Sequence, residues 1–274
     1  MRPSARIRVI RCTRPFAIMR FLSTRSGSSP CEPSLRPLVF RLGLRQRWVL
    51  LPALVLVGIS ANYAATEPAH EESVIRGLDR AEMDRETRLT GYSVTERYTL
   101  HNGRFQTAAE RTVATVYSKG AGKTYQTLSK SGSSTLQSSV LDKLLLDEAA
   151  MSRGDSRQQA LITSANYMMK LVGEESLGGR ACDILEIVPR TKSPHLLKGR
   201  VWVDAGDQSL VRVEGTPVAS ASFWAGRPAI VRDYEKVDGF SVAKISHALS
   251  ESLLLGKTEL TIEYTGYAIT GTAK

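Results

Sequence analysis

Residues Gly199 to Gly215, GRVWVDAGDQSLVRVEG, read as two short strands around a turn. Val201 and Val203 alternate with Arg200, Trp202 and Asp204, and past the turn Val211 and Val213 alternate with Leu210, Arg212 and Glu214. Side chains of a strand point to opposite faces with a period of two, so each arm is expected to show one valine face and one mixed face. The cluster Asp204-Ala205-Gly206-Asp207 has turn chemistry. Gly206 is expected to supply a positive φ there, and the aspartates to cap their own backbone.

The same pattern recurs on both sides of this hairpin. Alternation predicts strands over residues 92–100, 105–118, 123–129, 166–172, 180–188, 229–236 and 240–254. A last strand sets Leu260, Ile262 and Tyr264 against Glu259, Thr261 and Glu263. Turn signals at His101-Asn102-Gly103, Gly120 to Gly122, Leu177 to Gly179, Val237 to Gly239 and Gly256-Lys257 separate them. The total is about nine to eleven strands, at the spacing of a sandwich or barrel.

Two helices interrupt this. Residues 67–88 carry an approximate stripe of Val74, Ile75, Leu78, Ala81 and Met83, and Gly91 is expected to end the helix. Residues 133–150 begin with Ser134 and Gln137 at capping-box spacing. In that second helix Leu136, Val140 and Leu144 form a stripe that Leu141 and Leu145 widen, while Asp142, Lys143 and Asp147 face away. A helix inserted between strands of a meander has an open sheet face to cross, so it can act as a lid. The polar stretch 152–159 is expected to loop out.

The formal net charge of +10 suggests a nucleic-acid or membrane-surface partner, but its distribution removes that reading. Residues 1–50 hold eleven Arg, no Lys and the single acid Glu32, which leaves 26 basic against 26 acidic residues in the remainder. The body therefore lacks the electrostatic footprint of a polyanion binder. The Arg-rich stretch precedes the apolar run Trp48 to Ser60, whose length suits a signal-peptide core and is short for a membrane span. Either the signal is cleaved near Ala64 or Ala65, or residues 48–63 stay as an N-terminal anchor. Both alternatives export the body. The expected organisation is a leader over residues 1–65 and a single domain over residues 66–274. Cys182 is the one cysteine beyond the leader, so no internal disulfide is expected and a buried, inert thiol is.

Catalytic signals are missing. GAGKT at Gly120 to Thr124 resembles the end of a phosphate-binding loop, but Tyr117 stands where that loop needs glycine, and YQTLSKS continues as a strand. His70, His101, His195 and His247 show no metal-ligand spacing among themselves or with Cys182. There is no G-x-S-x-G, H-E-x-x-H or dinucleotide fingerprint, and no cofactor is implied. Glu96 and Glu186 interrupt apolar faces, which a strand edge or a shifted register would explain more simply than a buried, paired carboxylate. What remains is distributed: a sheet that curls brings its apolar faces around one interior, and an incomplete barrel under a helix leaves a cavity fit for acyl chains. The alternative is an interior filled by the protein's own side chains.

The segments GRVWVDAGDQSLVRVEG, SFW, IVRDYEKVDGF and GKTELTIEYTGY resemble the exported outer-membrane lipoprotein-sorting (LolA-like) proteins. The resemblance covers roughly Gly91 to Ile269 in element order. It implies a mainly β fold: a curved antiparallel sheet forming an unclosed β-barrel, with an N-terminal helix and a helical lid. It also implies a non-enzymatic periplasmic carrier of lipoprotein acyl chains or lipids, with inner- and outer-membrane transport components as partners. On that expectation Leu136, Val140 and Leu144 close over a cavity walled by Trp202, Leu260, Ile262 and Tyr264. The second expectation is a membrane-anchored periplasmic sensor, an interaction module of the same fold.

Overall fold

The computed structural model describes residues 63–105, 107–219, 227–252 and 256–272. The Arg-rich leader, the apolar run 48–60 and the Phe223-Trp224 pair lie outside the described residues. Helix α1 (Tyr63–Arg88) starts a few residues before the expected point and runs directly into strand β1 (Leu89–Asn102). Gly91 thus lies inside a strand and ends no helix. There follow β2 (Ala109–Ser118) and β3 (Gly122–Gly132), a helical stretch, and then β4 (Tyr167–Leu177), β5 (Arg180–Pro189), β6 (Leu197–Asp204), β7 (Leu210–Pro217), β8 (Ala229–Val237), β9 (Phe240–Ser252) and β10 (Gly256–Gly271). Among the described residues no helix is long and apolar enough to cross a membrane.

All ten strands belong to one antiparallel sheet in the order β3-β2-β1-β10-β9-β8-β7-β6-β5-β4. It is two meanders joined where β10 pairs with β1. The two edges are β3 and β4, which follow one another in the chain and do not pair, so the sheet is an unclosed barrel. Residues 133–166 must carry the chain from one edge to the other. That places the helices over the inner face.

The helical stretch opens with α2 (Ser134–Leu136), passes through a π-helical turn (Gln137–Leu141) and continues as α3 (Asp142–Met151). Its cap is one residue earlier than expected. Ser133 Oγ accepts from Leu136 N at 3.3 Å, and Gln137 is not the reciprocal partner. The Gln137 side chain instead accepts from Arg111 Nε at 2.9 Å and donates to the carbonyls of Glu110 and Ser131 at 2.8 and 2.9 Å. A π turn places one extra residue in the helix, and here that residue ties it to β2 and β3. The polar segment expected to loop out forms a short helix, α4 (Gly154–Ala160).

One row of directly paired residues crosses nine strands: Leu171, Leu185, Val201, Val213, Arg232, Ser246, Ile262, Tyr98 and Arg111. Paired residues share a face, so this row is the inner wall. On the β4–β7 half it packs against Val74 and Leu78 of α1, with Leu185, Ile187, Val201, Val203, Leu210 and Val213 buried. On the other half Leu136, Leu141 and Leu145 of the helical stretch pack on Val94, Tyr98, Leu100, Val113, Leu260, Ile262 and Tyr264. The expected α1 stripe holds for Val74 and Leu78, whereas Met83 is exposed.

The opening hairpin departs from simple alternation. Trp202 pairs with Arg212 but Val203 pairs with Leu210, so β7 carries one extra residue at Val211. Such a bulge turns the strand by one position. Leu210 and Val213 both face inward, and Val211 joins Trp202 and Cys182 in an outer cluster. The expected common face of Val211 and Val213 is therefore split. The positive φ of the turn belongs to Gln208 at 61°, not to Gly206. The aspartate caps form as expected: Asp204 Oδ1 accepts from Gly206 N at 2.8 Å, and Asp207 Oδ1 from Ser209 N at 3.2 Å. Gly199 and Gly215 face each other across the pair. A Cβ on Gly215 would lie 2.7 Å from Lys198 O, and one on Gly199 would collide with Glu214 O, so the strands approach as closely as they do only with glycine at both ends of the motif.

Candidate interior binding site

The inner face is not uniformly filled. Over β6–β8, between α1, α3 and α4, lies a cavity of about 370 Å³. Its floor is Leu197, Leu210, Val213 and Ile230, and Leu144, Met151, Leu161 and Ile162 cover it. The room has a local cause. Ile230 is flanked in the sheet by Gly215 and Ala248, whereas the inner wall of β1 and β10 carries Tyr98, Leu100, Leu260 and Tyr264. Small neighbours leave space that the large ones fill.

Charged groups close one side. Glu82 and Glu86 of α1 are 4 % and 8 % exposed, on the helix face that the apolar stripe was expected to continue. Arg157 of α4 binds Glu86 in a bidentate pair, Nε to Oε2 at 2.7 Å and an NH2 contact to Oε1 at 2.5 Å, and stacks 4.5 Å over the Tyr117 ring. Arg85 reaches Glu82 at 3.2 Å and Glu86 at 3.7 Å. These contacts hold α4, α1 and the sheet together where the helical stretch returns to the far edge.

A second buried group lies beneath α3. Glu96 on β1 is 0 % exposed, takes a hydrogen bond from Tyr98 Oη and sits 3.7 Å from Lys123 Nζ. Lys123 lies 3.1 Å from Glu148 Oε2, to which Tyr125 Oη also donates at 3.0 Å. Burial raises the Glu96 carboxyl above its usual range, with Lys123 only partly opposing it. For Glu148 burial acts in the same sense, but Lys123, Arg232 and the two hydrogen bonds outweigh it and hold the carboxyl low. Burial also acts against the charge on Lys123, and Glu148 and Glu96 more than offset it, so the ammonium stays charged. Glu148 is thus a stable anion that anchors α3 to the edge strand β3. The interruption at Glu96, read from the sequence as an edge or register effect, is a true buried carboxylate. Its partners stand on β3 and α3, beyond the reach of local alternation. Glu186 is exposed.

The seven residues expected to bind cargo fall into three places. Leu144 covers the cavity. Leu136, Val140, Leu260, Ile262 and Tyr264 pack with one another in the filled half of the interior. Trp202 does not share that wall: its strand position pairs with Ile184 and Arg212, on the face opposite Val201 and Val213. There it packs against Cys182 and Val211, and its Nε1 donates to Glu175 at 2.9 Å. Cys182 is 2 % exposed, and burial raises its thiol pKa, as expected of an inert cysteine. His70 Nε2 donates to Asp183 Oδ1 at 3.1 Å and lies 3.7 Å from Glu174. Glu174 is exposed and Asp183 already engages the imidazole, so this group reads as a contact that docks the start of α1 on β5.

No family model and no curated sequence relative matches this chain. Solved structures do resemble it. A LolA superfamily protein from Nitrosomonas europaea aligns at 10 % identity with a TM-score of 0.42, over 74 % of this chain and 94 % of its own. A DUF1329 family protein from Desulfovibrio piger aligns at 16 % identity and 0.38, over 72 % and 92 %. A domain named for outer membrane lipoprotein sorting, from Vibrio parahaemolyticus, aligns at 13 % identity and 0.39, over 72 % and 93 %. At such identities and TM-scores, function has to be argued from the site itself.

Proposed function

We propose that this protein is an exported, non-enzymatic carrier that holds an acyl chain or lipid inside its unclosed barrel and passes it on toward an outer membrane. The observation that supports this is the cavity of about 370 Å³, floored by the apolar inner wall of β6–β8 and covered by Leu144 and its neighbours. That volume is near the lower end of the roughly 300–1,000 Å³ typical of small-molecule sites. Burial contributes about 0.8 kcal/mol per methylene, enough to hold a chain while leaving it transferable. A chain longer than the cavity would advance into the region where Leu136 and Val140 rest on Leu260, Ile262 and Tyr264, so these five residues are proposed as the part of the interior that gives way. Trp202 has no part in this reading. Native mass spectrometry of the protein purified from its host should show a co-purifying lipid, and fluorescent acyl probes should bind. A lipid-free spectrum together with no probe binding would sink the reading.

A second reading, an interaction module anchored through residues 48–63, draws on the two sheet edges. Leu128 on β3 and Met168 and Val172 on β4 are exposed on strands with one side unpaired, where a partner could add a strand. N-terminal sequencing of the mature protein separates the two, because a shuttle has to be cleaved free.

A further inference from the structure

Three arginines line the cavity together with the carboxylates Glu82, Asp147 and Glu148, and the arginines are not equivalent. Arg157 is neutralised by its two-point contact with Glu86, and Arg85 by Glu82 and Glu86. Arg232 stands at the centre of the inner wall, between Val213 and Ser246. Among the described residues it has no carboxylate within ion-pair distance. Its Nε donates to Ser246 Oγ at 2.8 Å, and its other neighbours are Tyr264, Tyr234 and Glu148. Of these only Glu148 is an anion at neutral pH, and that carboxylate is already engaged by Lys123 and Tyr125.

Glu148 offsets part of the cost of this charge from beyond ion-pair distance, which leaves the guanidinium, among the described residues, without a direct anionic contact of its own. The guanidinium fork suits a carboxylate or a phosphate, both of which it can bind at two points. The geometry points to Arg232 as the receptor for an anionic head group, so that the cavity takes a single-chain amphiphile with a carboxylate or phosphate head in preference to a neutral acyl chain. This rests on the carrier reading above and narrows its cargo. The tail would lie along Leu210, Val213 and Ile230, with the head beside Arg232. The modest volume favours one chain over two.

The test is displacement of a fluorescent acyl probe from the full-length protein at about pH 7.5, where the head groups are ionised. Four competitors of equal chain length would be compared: hexadecanoic acid, a palmitoyl lysophosphatidylglycerol, methyl hexadecanoate and hexadecanol. A charge-assisted contact predicts that at least one anionic competitor binds about ten- to a hundredfold more tightly than the ester and the alcohol. The acid and lysophospholipid arms tell a carboxylate head from a phosphate head. Arg232→Met should abolish the preference while leaving ester affinity within about threefold, and Arg232→Lys should keep part of it. Equal binding of ionised and neutral competitors by the wild type overturns the head-group assignment alone, as does a preference that survives in a folded Arg232→Met. The wild-type comparison stands even if that variant fails to fold. Failure of every competitor, neutral and anionic alike, overturns the carrier reading and this assignment with it.

Discussion

At the residue scale, the interior is defined by two glutamates that burial pushes in the same direction and that their neighbours treat differently. Glu96 has a raised carboxyl pKa, chiefly through burial, so its contribution to stability is complete below its ordinary 4.5 and is lost as pH rises through the folded value. Glu148, subject to the same burial, is held low by Lys123 and Arg232, so its contribution is present above 4.5 and is lost as pH falls through the folded value. Thermal melts between about pH 3 and pH 8 should therefore show Glu96→Gln flattening the decline on the neutral side, and Glu148→Gln flattening the decline on the acid side. Identical pH profiles for the two variants would contradict this assignment. Trp202 supplies a different test. It is 6 % exposed in the outer cluster, so Trp202→Ala should cost about 3–5 kcal/mol in urea denaturation. Acyl-probe affinity, measured below the unfolding transition, should not change, because the ring is on the far side of the sheet.

The helical stretch is the element that decides whether the interior opens. Its apolar contacts with the sheet are supplemented by a few polar ties: Gln137 to β2 and β3, Asp142 to Arg111 at 2.6 Å, Glu148 to Lys123, and Arg157 to Glu86. Gln137 is 7 % exposed and answers three polar groups at once. Its replacement in Gln137→Ala leaves those groups without their partner, at a cost of about 2–4 kcal/mol when each lost bond is weighed as a net contribution. Hydrogen exchange should then quicken across residues 134–151 while β5–β7 keep their protection. Uniform acceleration over the whole sheet would mean that the stretch is part of the global fold and not a separable lid. The bulge at Val211 acts on the same scale. By turning β7 it brings Leu210 to the cavity floor and frees Val211 to cover Trp202.

For the whole molecule, the carrier reading rests on an open edge on each side of the sheet and a gap in the packing over β6–β8. Ile230 sits between Gly215 and Ala248 with space above it, so Ile230→Trp should occupy the cavity. Competition assays should show acyl affinity falling by at least about tenfold, since the buried contact area is taken by the indole. Its melting temperature should move far less than that of Trp202→Ala, because no packed side chain is displaced. Full affinity in a folded Ile230→Trp would place the cargo elsewhere.

Alternation and turn chemistry were enough to establish much of this molecule. The strands around His101-Asn102-Gly103, Val237 to Gly239 and the Gly199–Gly215 hairpin follow from period-two patterning and from residues that favour tight turns. The apolar stripe of Leu136, Val140 and Leu144, widened by Leu141 and Leu145, likewise marks a helix that packs on a sheet. Those signals are local, and so is what they determine: element type, the inward face of an unbulged strand, and an open meander. Tertiary structure decided the rest. Val211 turned outward because a bulge adds one residue without any mark in the alternation. Leu144 reached a cavity while Leu136 and Val140 met packed side chains, a difference set by Gly215 and Ala248 on strands remote in the chain. Glu96, Lys123, Glu148 and Arg232 come from β1, β3, α3 and β8, and each reads in its own segment as a polar residue on a strand or helix. Only the curl of the sheet brings them into one largely enclosed cluster, where a charge gains from a partner.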